Sequence, residues 1–425
     1  MKLTPNEQAM LEGREGVARQ KAMELLVGYA EGLGAEGFVD TNNVAVLTGL
    51  FPYPDLIREI VPSLDPDEIA SKFFLNSDEI VVVDKVKAFT TSHIYRNQDY
   101  PQIQQGGEFL CKVTEQMEQY CKRIGIVNLA TCSPYQSGNL PVMGEHCAWT
   151  ESSAIPFCNS ILGGRTNIEG LHSAFASAIT GKTPLWGLHL DENRVGKIIV
   201  DVAVDMGDIK EWNLMGYYVG GQIGLDIPIY MNINAVPDLT RIMALCAAGA
   251  ASGSTVMFHI VGHTPEAPSS DEMDKLGKGL PILPYALEQR REAYERLNHS
   301  TRDDVDVVVL GCPHYTLERM KAIAGMLEGK KIHPNVELFV TTCRMIKAIA
   351  DRDGYTEAIS EAGGKVMDDT CGIFFEFNSS KVLASDSAKM VHYVPMTAGV
   401  KNTWFGTTEE CIDAALTGKW KGELA

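Results

Sequence analysis

Leu110, Val113, Met117, Cys121 and Ile124 recur three and four residues apart, which puts them on one face of a helix starting near residue 106. Short β-branched runs interrupt such helical spacings all along the chain. EIVVVDKVKAF at 79–89 and IGIVNLATCSPY at 124–135 read as strands, and so do the apolar parts of GKIIVDVAVDMG and STVMFHIVGHTPEA. Further on, VDVVVLGCPHYTLERMKAIAGMLEG, VELFVTTCRMIKAIADRDG and KVMDDTCGIF repeat the strand-then-helix pattern. This alternation predicts an α/β fold. In residues 304–329 the strand should end at Gly311 and Cys312, with Pro313 helping to start a helix and Gly329 following its last turn. Repeats, low-complexity tracts and linkers are absent, so the 425 residues read as one module.

Charge narrows the partners. With 37 basic and 55 acidic residues, a net charge of -18 repels nucleic acid and anionic membrane surfaces. The N-terminus, MKLTPNEQAMLEGREGVARQKAMELLVGYAEGLGA, reads as an amphipathic helix with no apolar signal core, and the apolar runs elsewhere are too short to span a bilayer. A cytoplasmic protein without nucleic-acid or membrane partners is expected.

Ten cysteines are too few for a disulfide scaffold, and no CxxC pair occurs. Cys111, Cys121, Cys246 and Cys411 lie in helical contexts and should pack as small hydrophobes, as should Cys147 and Cys158. Cys132, Cys312 and Cys371 instead sit where strands end, the edge at which open α/β sheets bind ligands, and Cys343 in FVTTC shares that context. Such thiols are either core residues or metal ligands; three of them would leave a coordination position open for substrate.

Residues 132–170, CSPYQSGNLPVMGEHCAWTESSAIPFCNSILGGRTNIEG, crowd polar groups too varied for a plain surface loop. Glu145, His146 and Glu151 can exchange protons, and Arg165 can clamp a carboxylate. Ser152, Ser153, Asn159, Ser160, Thr166 and Asn167 add neutral donors and acceptors. Structural alternatives exist for several: a hydrogen-bonded histidine at 146, a surface ion pair at 165.

This segment closely resembles the signature of the aconitase X family, in its Cys-Ser-Pro-Tyr start, its GEHCAWTESSA run and its NSILGGRTNIEG close. ITGKTPLWGLHLDENR, NLMGYYVGG, GCPHYTLE, DDTC and SDSAKMVHY extend the likeness over nearly the whole chain, and it is weakest over about the first 100 residues. There FVDTNNVAVLTG stands where relatives tend to carry a histidine. The segment HIVGHTPEAPSSDEM at 259–273 is more similar to bacterial members.

The resemblance implies an aconitase-like multi-layer α/β/α catalytic unit lacking the swivelling domain, which would come from a separate small subunit. It implies an iron or iron-sulfur centre on Cys132, Cys312 and Cys371. Glu145, His146, Ser152 and Ser153 are the expected catalytic residues. Asn159, Arg165, Thr166, Ser387 and Lys389 are expected to bind the substrate, a small hydroxy acid, with a helix-capping alternative for Ser387. The implied reaction is dehydration of cis-3-hydroxy-L-proline to 1-pyrroline-2-carboxylate. Mevalonate 5-phosphate is the alternative substrate, and a non-catalytic iron-sulfur protein the alternative class.

Overall fold

The computed structural model describes residues 1–49, 54–267, 269 and 279–424. Residues 268 and 270–273 of the HIVGHTPEAPSSDEM stretch lie outside it. In the N-terminal part run β1 (Phe38–Asp40), β2 (Asn43–Val46), β3 (Phe89–Ser92), β4 (Cys147–Trp149) and β5 (Lys182–Pro184). β2 pairs in parallel with β3 on one side and β4 on the other, while β1 and β5 pair antiparallel.

A second parallel sheet has the order β8-β7-β6-β9, from β6 (Ile198–Val202), β7 (Pro228–Met231), β8 (His259–Ile260) and β9 (Ile282–Tyr285). The third contains β10 (Val307–Tyr315), β11 (Glu337–Thr342), β12 (Lys365–Asp368), β13 (Val382–Ser385) and β14 (Asn402–Phe405), in the order β12-β11-β10-β13-β14, all parallel. Helices connect these strands, as parallel pairing requires. The mixed α/β architecture anticipated from the alternation is present.

One apolar core joins the three parallel sheets. It runs from Trp149 of β4 through Val200 of β6 and Trp212 to Phe405 of β14. At its centre the helices Ile209–Ile223 and Leu239–Gly253 pack so closely that a Cβ on Gly216 would stand 2.7 Å from the Leu245 carbonyl oxygen. Only the absence of a side chain there allows the contact. The shared core holds the sheets relative to one another, and residues beyond the carboxyl ends of the first and third meet at a common rim.

Several local expectations hold. The helix Gly107–Ile124 buries Leu110, Val113, Met117, Cys121 and Ile124, and Cys246 and Cys411 lie buried in helices. Others are corrected. Residues 79–88 are not a strand, although Val81 and Val83 are buried and Ile80 and Val82 exposed in alternation. Their amides bond elsewhere: Val81 N to Ser71 Oγ, Val86 N to the Ile124 carbonyl, Lys87 N to the Ala178 carbonyl. The run at 124–135 also fails to form a strand. Ile124 ends a helix, and only Val127 bridges a strand residue, Thr91.

Pro313 starts no helix. β10 continues with a register shift to Tyr315, and Thr316 caps the helix Leu317–Leu327. The expected N-terminal helix is two, Pro5–Leu11 and Val17–Leu33, broken around Gly13 and Gly16 with their positive φ. Among the described residues no helix is long and apolar enough to cross a membrane.

Candidate active site

The carboxyl ends of the first and third sheets bring the thiols together. Cys312 lies within the register shift of β10, and Cys371 follows β12 by three residues. Cys132 lies beyond Val127, the residue bridged to β3. All three are buried. Cys312 and Cys371 perturb each other most strongly, and each acts electrostatically on Cys132 or is acted on by it. Cys343, on the intervening strand's end, is engaged differently: its Sγ lies 3.2 Å from Ser137 Oγ.

Burial, then the Glu151 carboxylate, push the Cys132 thiol up to about 12, against the His314 backbone N–H and Lys389. Cys312 goes the other way, because the hydrogen bond from Cys371 outweighs burial and is aided by Lys389 and Ser387. Cys371 is correspondingly raised by that bond and by burial.

Next to the thiols is a buried ion pair. Lys389 Nζ donates to Glu151 Oε1 at 2.5 Å and to Ser152 Oγ at 3.0 Å, and it lies 3.4 Å from Ser153 Oγ. Ser153 also donates to Glu151, through its hydroxyl at 2.8 Å and its backbone N–H at 3.1 Å. His93 Nε2 stands 2.5 Å from Glu151 Oε2. Burial would raise the Glu151 carboxyl, but Lys389 and then His93 hold it well below the usual carboxylate range. Burial would lower Lys389; Glu151 and Cys312 overcome this and raise it.

The backbone explains why these groups meet. Val46 of β2 pairs with Ser92 of β3, and Ala45 pairs with Trp149 of β4, so His93 and Glu151 leave the two parallel strands that flank β2 at the same end. Lys389 comes from the third sheet, in the first turn of the helix Ala388–Thr397. Ser387 caps that helix by accepting from Met390 N at 3.2 Å, as its capping alternative anticipates, and it also hydrogen-bonds Cys312. A cavity reaches this edge, lined by Asn213, Met243, Cys312, Tyr315, Arg319 and Asp386. Arg319 there pairs with Asp386.

Glu145, His146 and Arg165 are not brought to the thiols. His146 and Arg165 bridge each other just before β4, whereas Glu151 follows its end. Glu151 lies five positions beyond His146, along β4 and past its end, a path of up to roughly 16 Å at the usual rise. Arg165 donates to the His189 carbonyl at 3.0 Å and pairs with Asp191, which uses both arms of its fork. His146 Nδ1 lies 2.9 Å from His189 Nδ1, and Glu145 accepts from Val142 N at 3.0 Å. This is a second polar cluster at the other end of the strand.

Asn159 and Thr166 are likewise engaged by protein. The Asn159 amide donates to the carbonyls of Thr166 and Val256, each at 2.9 Å, and accepts from Thr166 N at 2.9 Å. Thr166 Oγ1 accepts from Trp149 N and donates to the Asn167 carbonyl. Both side chains are fully buried, so they brace the ends of β4 and the loop that carries Arg165.

Three soft, buried donors from separate segments suit an iron-thiolate group. Among the described residues, however, no group of three or more His, Cys, Asp or Glu side chains stands at metal-holding spacing.

Family models described as the first, second and third domains of aconitase X match residues 1–192, 196–292 and 305–417. The phosphomevalonate dehydratase large subunit of Thermococcus kodakarensis is 35% identical, over 92% of this chain and 95% of that protein. A cis-3-hydroxy-L-proline dehydratase of Hypocrea jecorina is 28% identical, over 98% of this chain and 69% of its own length. The crystal structure of Thermococcus kodakaraensis aconitase X in its holo-form superposes with a TM-score of 0.82 at 32% identity, covering 98% of this chain and all of that one.

Proposed function

The chain belongs to the aconitase X family and is a hydro-lyase of that type, and from this premise we propose that it removes water from a small 3-hydroxy acid at the rim holding Cys132, Cys312 and Cys371. The observation that carries this reading is the meeting of these buried thiols with the Glu151–Lys389 pair. Cys132, Cys312 and Cys371 would hold an iron or iron-sulfur group. When bound, such a group supplies a Lewis acid for a departing hydroxyl.

The chain's own residues do the rest. Lys389, Ser152 and Ser153 offer charge and hydroxyls to a substrate carboxylate, where negative charge builds as a base takes the neighbouring C–H proton, which balances the proton given to the departing hydroxyl. Glu151, held ionised, fixes the orientation of all three. To His93 we assign protonation of the departing hydroxyl, so that it leaves as water; its Nδ1 has no hydrogen-bond partner among the described residues. Glu145, His146 and Arg165 act, in this reading, only through the strand they brace.

We propose cis-3-hydroxy-L-proline as the substrate, giving 1-pyrroline-2-carboxylate. The other cations described near the rim support this: with Lys389 assigned to the carboxylate, Arg319 is paired with Asp386 and Arg241 with Asp238, which leaves them committed rather than open to a phosphate dianion. Mevalonate 5-phosphate is the second reading, favoured by the higher identity to phosphomevalonate dehydratase large subunits. The name of those relatives supports a small subunit as partner, which would carry the swivelling domain over the rim. We place the enzyme in the cytoplasm, in keeping with the lack of a membrane-crossing helix among the described residues.

The test offers both substrates to the purified chain, alone and with a small subunit. Turnover of the hydroxyproline upholds the first reading, and turnover of the phosphate ester alone transfers it to the second. Inactivity toward both, with iron loaded and the small subunit present, would refute both.

A further inference from the structure

His314 is fully buried two residues beyond Cys312, and it reaches the segments that carry the other two thiols. Its backbone N–H donates to Cys132 Sγ at 3.3 Å. Its ring Nε2 lies 2.7 Å from the Thr370 carbonyl oxygen, next to Cys371, and its Nδ1 lies 3.0 Å from Thr131 Oγ1, next to Cys132. Its carbonyl accepts from Gln136 Nε2 at 3.0 Å.

A carbonyl oxygen can only accept, so Nε2 carries the ring hydrogen and Nδ1 accepts from the Thr131 hydroxyl. One neutral tautomer satisfies both contacts at once. No sheet ladder holds Cys132 or Cys371, since the first lies in an irregular segment and the second follows the end of β12. Loops of that kind lose conformational entropy when a ligand fixes them, and prior fixing lowers this cost.

Resting on the reading that these thiols hold iron, we infer that His314 is a positioning residue: its ring ties the Thr131–Cys132 and Thr370–Cys371 segments to β10, so that three thiols from separate segments form a preorganised cradle. The hydroxyl of Thr131 is part of the device, because it donates to the Nδ1 that the bond from Nε2 to Thr370 leaves as an acceptor.

Phenylarsine oxide, which condenses with thiols held close together and releases water, reports on the cradle without iron. The full-length apoprotein is titrated with it as wild type, His314→Ala, His314→Gln and Thr131→Val, and iron content is measured separately on anaerobically loaded samples. Arsenical affinity and retained iron should fall about tenfold in His314→Ala. Thr131→Val, which also takes the acceptor from Ser133 N, should weaken both to a lesser degree, and by more than a variant far from the rim with the same melting temperature. His314→Gln, whose amide can still donate to the Thr370 carbonyl, should recover most of the loss.

Wild-type arsenical affinity in both His314→Ala and Thr131→Val would overturn the inference. If His314→Ala does not fold, Thr131→Val decides: weakened capture supports the cradle and unchanged capture rejects it. Wild type that captures the arsenical in the expected pattern but takes up no iron would count against the iron reading and leave the positioning role standing.

Discussion

Lys389 Nζ and Glu151 Oε1 meet at 2.5 Å across 238 residues of sequence, both side chains nearly excluded from solvent. Removing one member leaves the other charge buried without its main partner, a change that typically costs about 3–5 kcal/mol. Glu151→Gln and Lys389→Met should each lower unfolding stability by that order, and the double variant by clearly less than the sum. Urea denaturation of all four proteins measures the coupling. Additive losses would show that the pair is not an energetic unit.

His189 should set part of the acid stability. Burial first, then the charges of His146 and Arg194, lower its imidazole from the ordinary 6.5 to about 3. Between those values the unfolded chain binds more protons than the folded one, so stability rises with pH. This contribution is complete above pH 6.5 and is lost as the pH falls toward 3, by up to about 1.4 kcal/mol per unit. Denaturation midpoints from pH 7 to pH 4 should fall less steeply in His189→Gln than in wild type, and parallel curves would refute the assignment.

Asn159→Ala should behave as a stability variant. It strands the carbonyls of Thr166 and Val256 and the Thr166 N–H in a buried setting, at about 1–3 kcal/mol for each group left unsatisfied. The melting temperature should drop by several degrees. KM measured well below the new melting point should stay near the wild-type value; a large rise in KM without loss of stability would return Asn159 to substrate contact.

Gly311 has φ of 97°, and a Cβ there would stand 2.0 Å from the Thr341 carbonyl oxygen. Gly311→Ala must therefore shift the backbone next to Cys312, with a destabilisation of about 1–3 kcal/mol from backbone strain alone. Its iron retention should fall further than that of an equally destabilised variant far from the rim. Equal losses in the two would mean that the conformation at Gly311 does not serve the thiol.

The candidate thiols were legible in the sequence because each follows an apolar run, and the edge of a parallel sheet is where such runs stop. Ser152, Ser153 and Lys389 were legible from polar density and family likeness. His93 was missed because the strand was placed at 79–89: the ladder runs through Phe89–Ser92 instead, and its end carries the histidine. The signal was the β-branched FTTS followed at once by a histidine. Glu145, His146 and Arg165 were grouped with the thiols on sequence proximity, which a five-residue extended path defeats.

By itself the sequence determined the α/β class, the burial of its helical cysteines and the family, since periodicity and local motifs are properties of short segments. Tertiary structure decided which polar groups share a site. Glu151 and His146 are five residues apart yet face different clusters, while Glu151 and Lys389 are joined across most of the chain. Strand direction explains this: parallel strands deliver only their carboxyl ends to the rim, and that direction is fixed by pairing between distant segments.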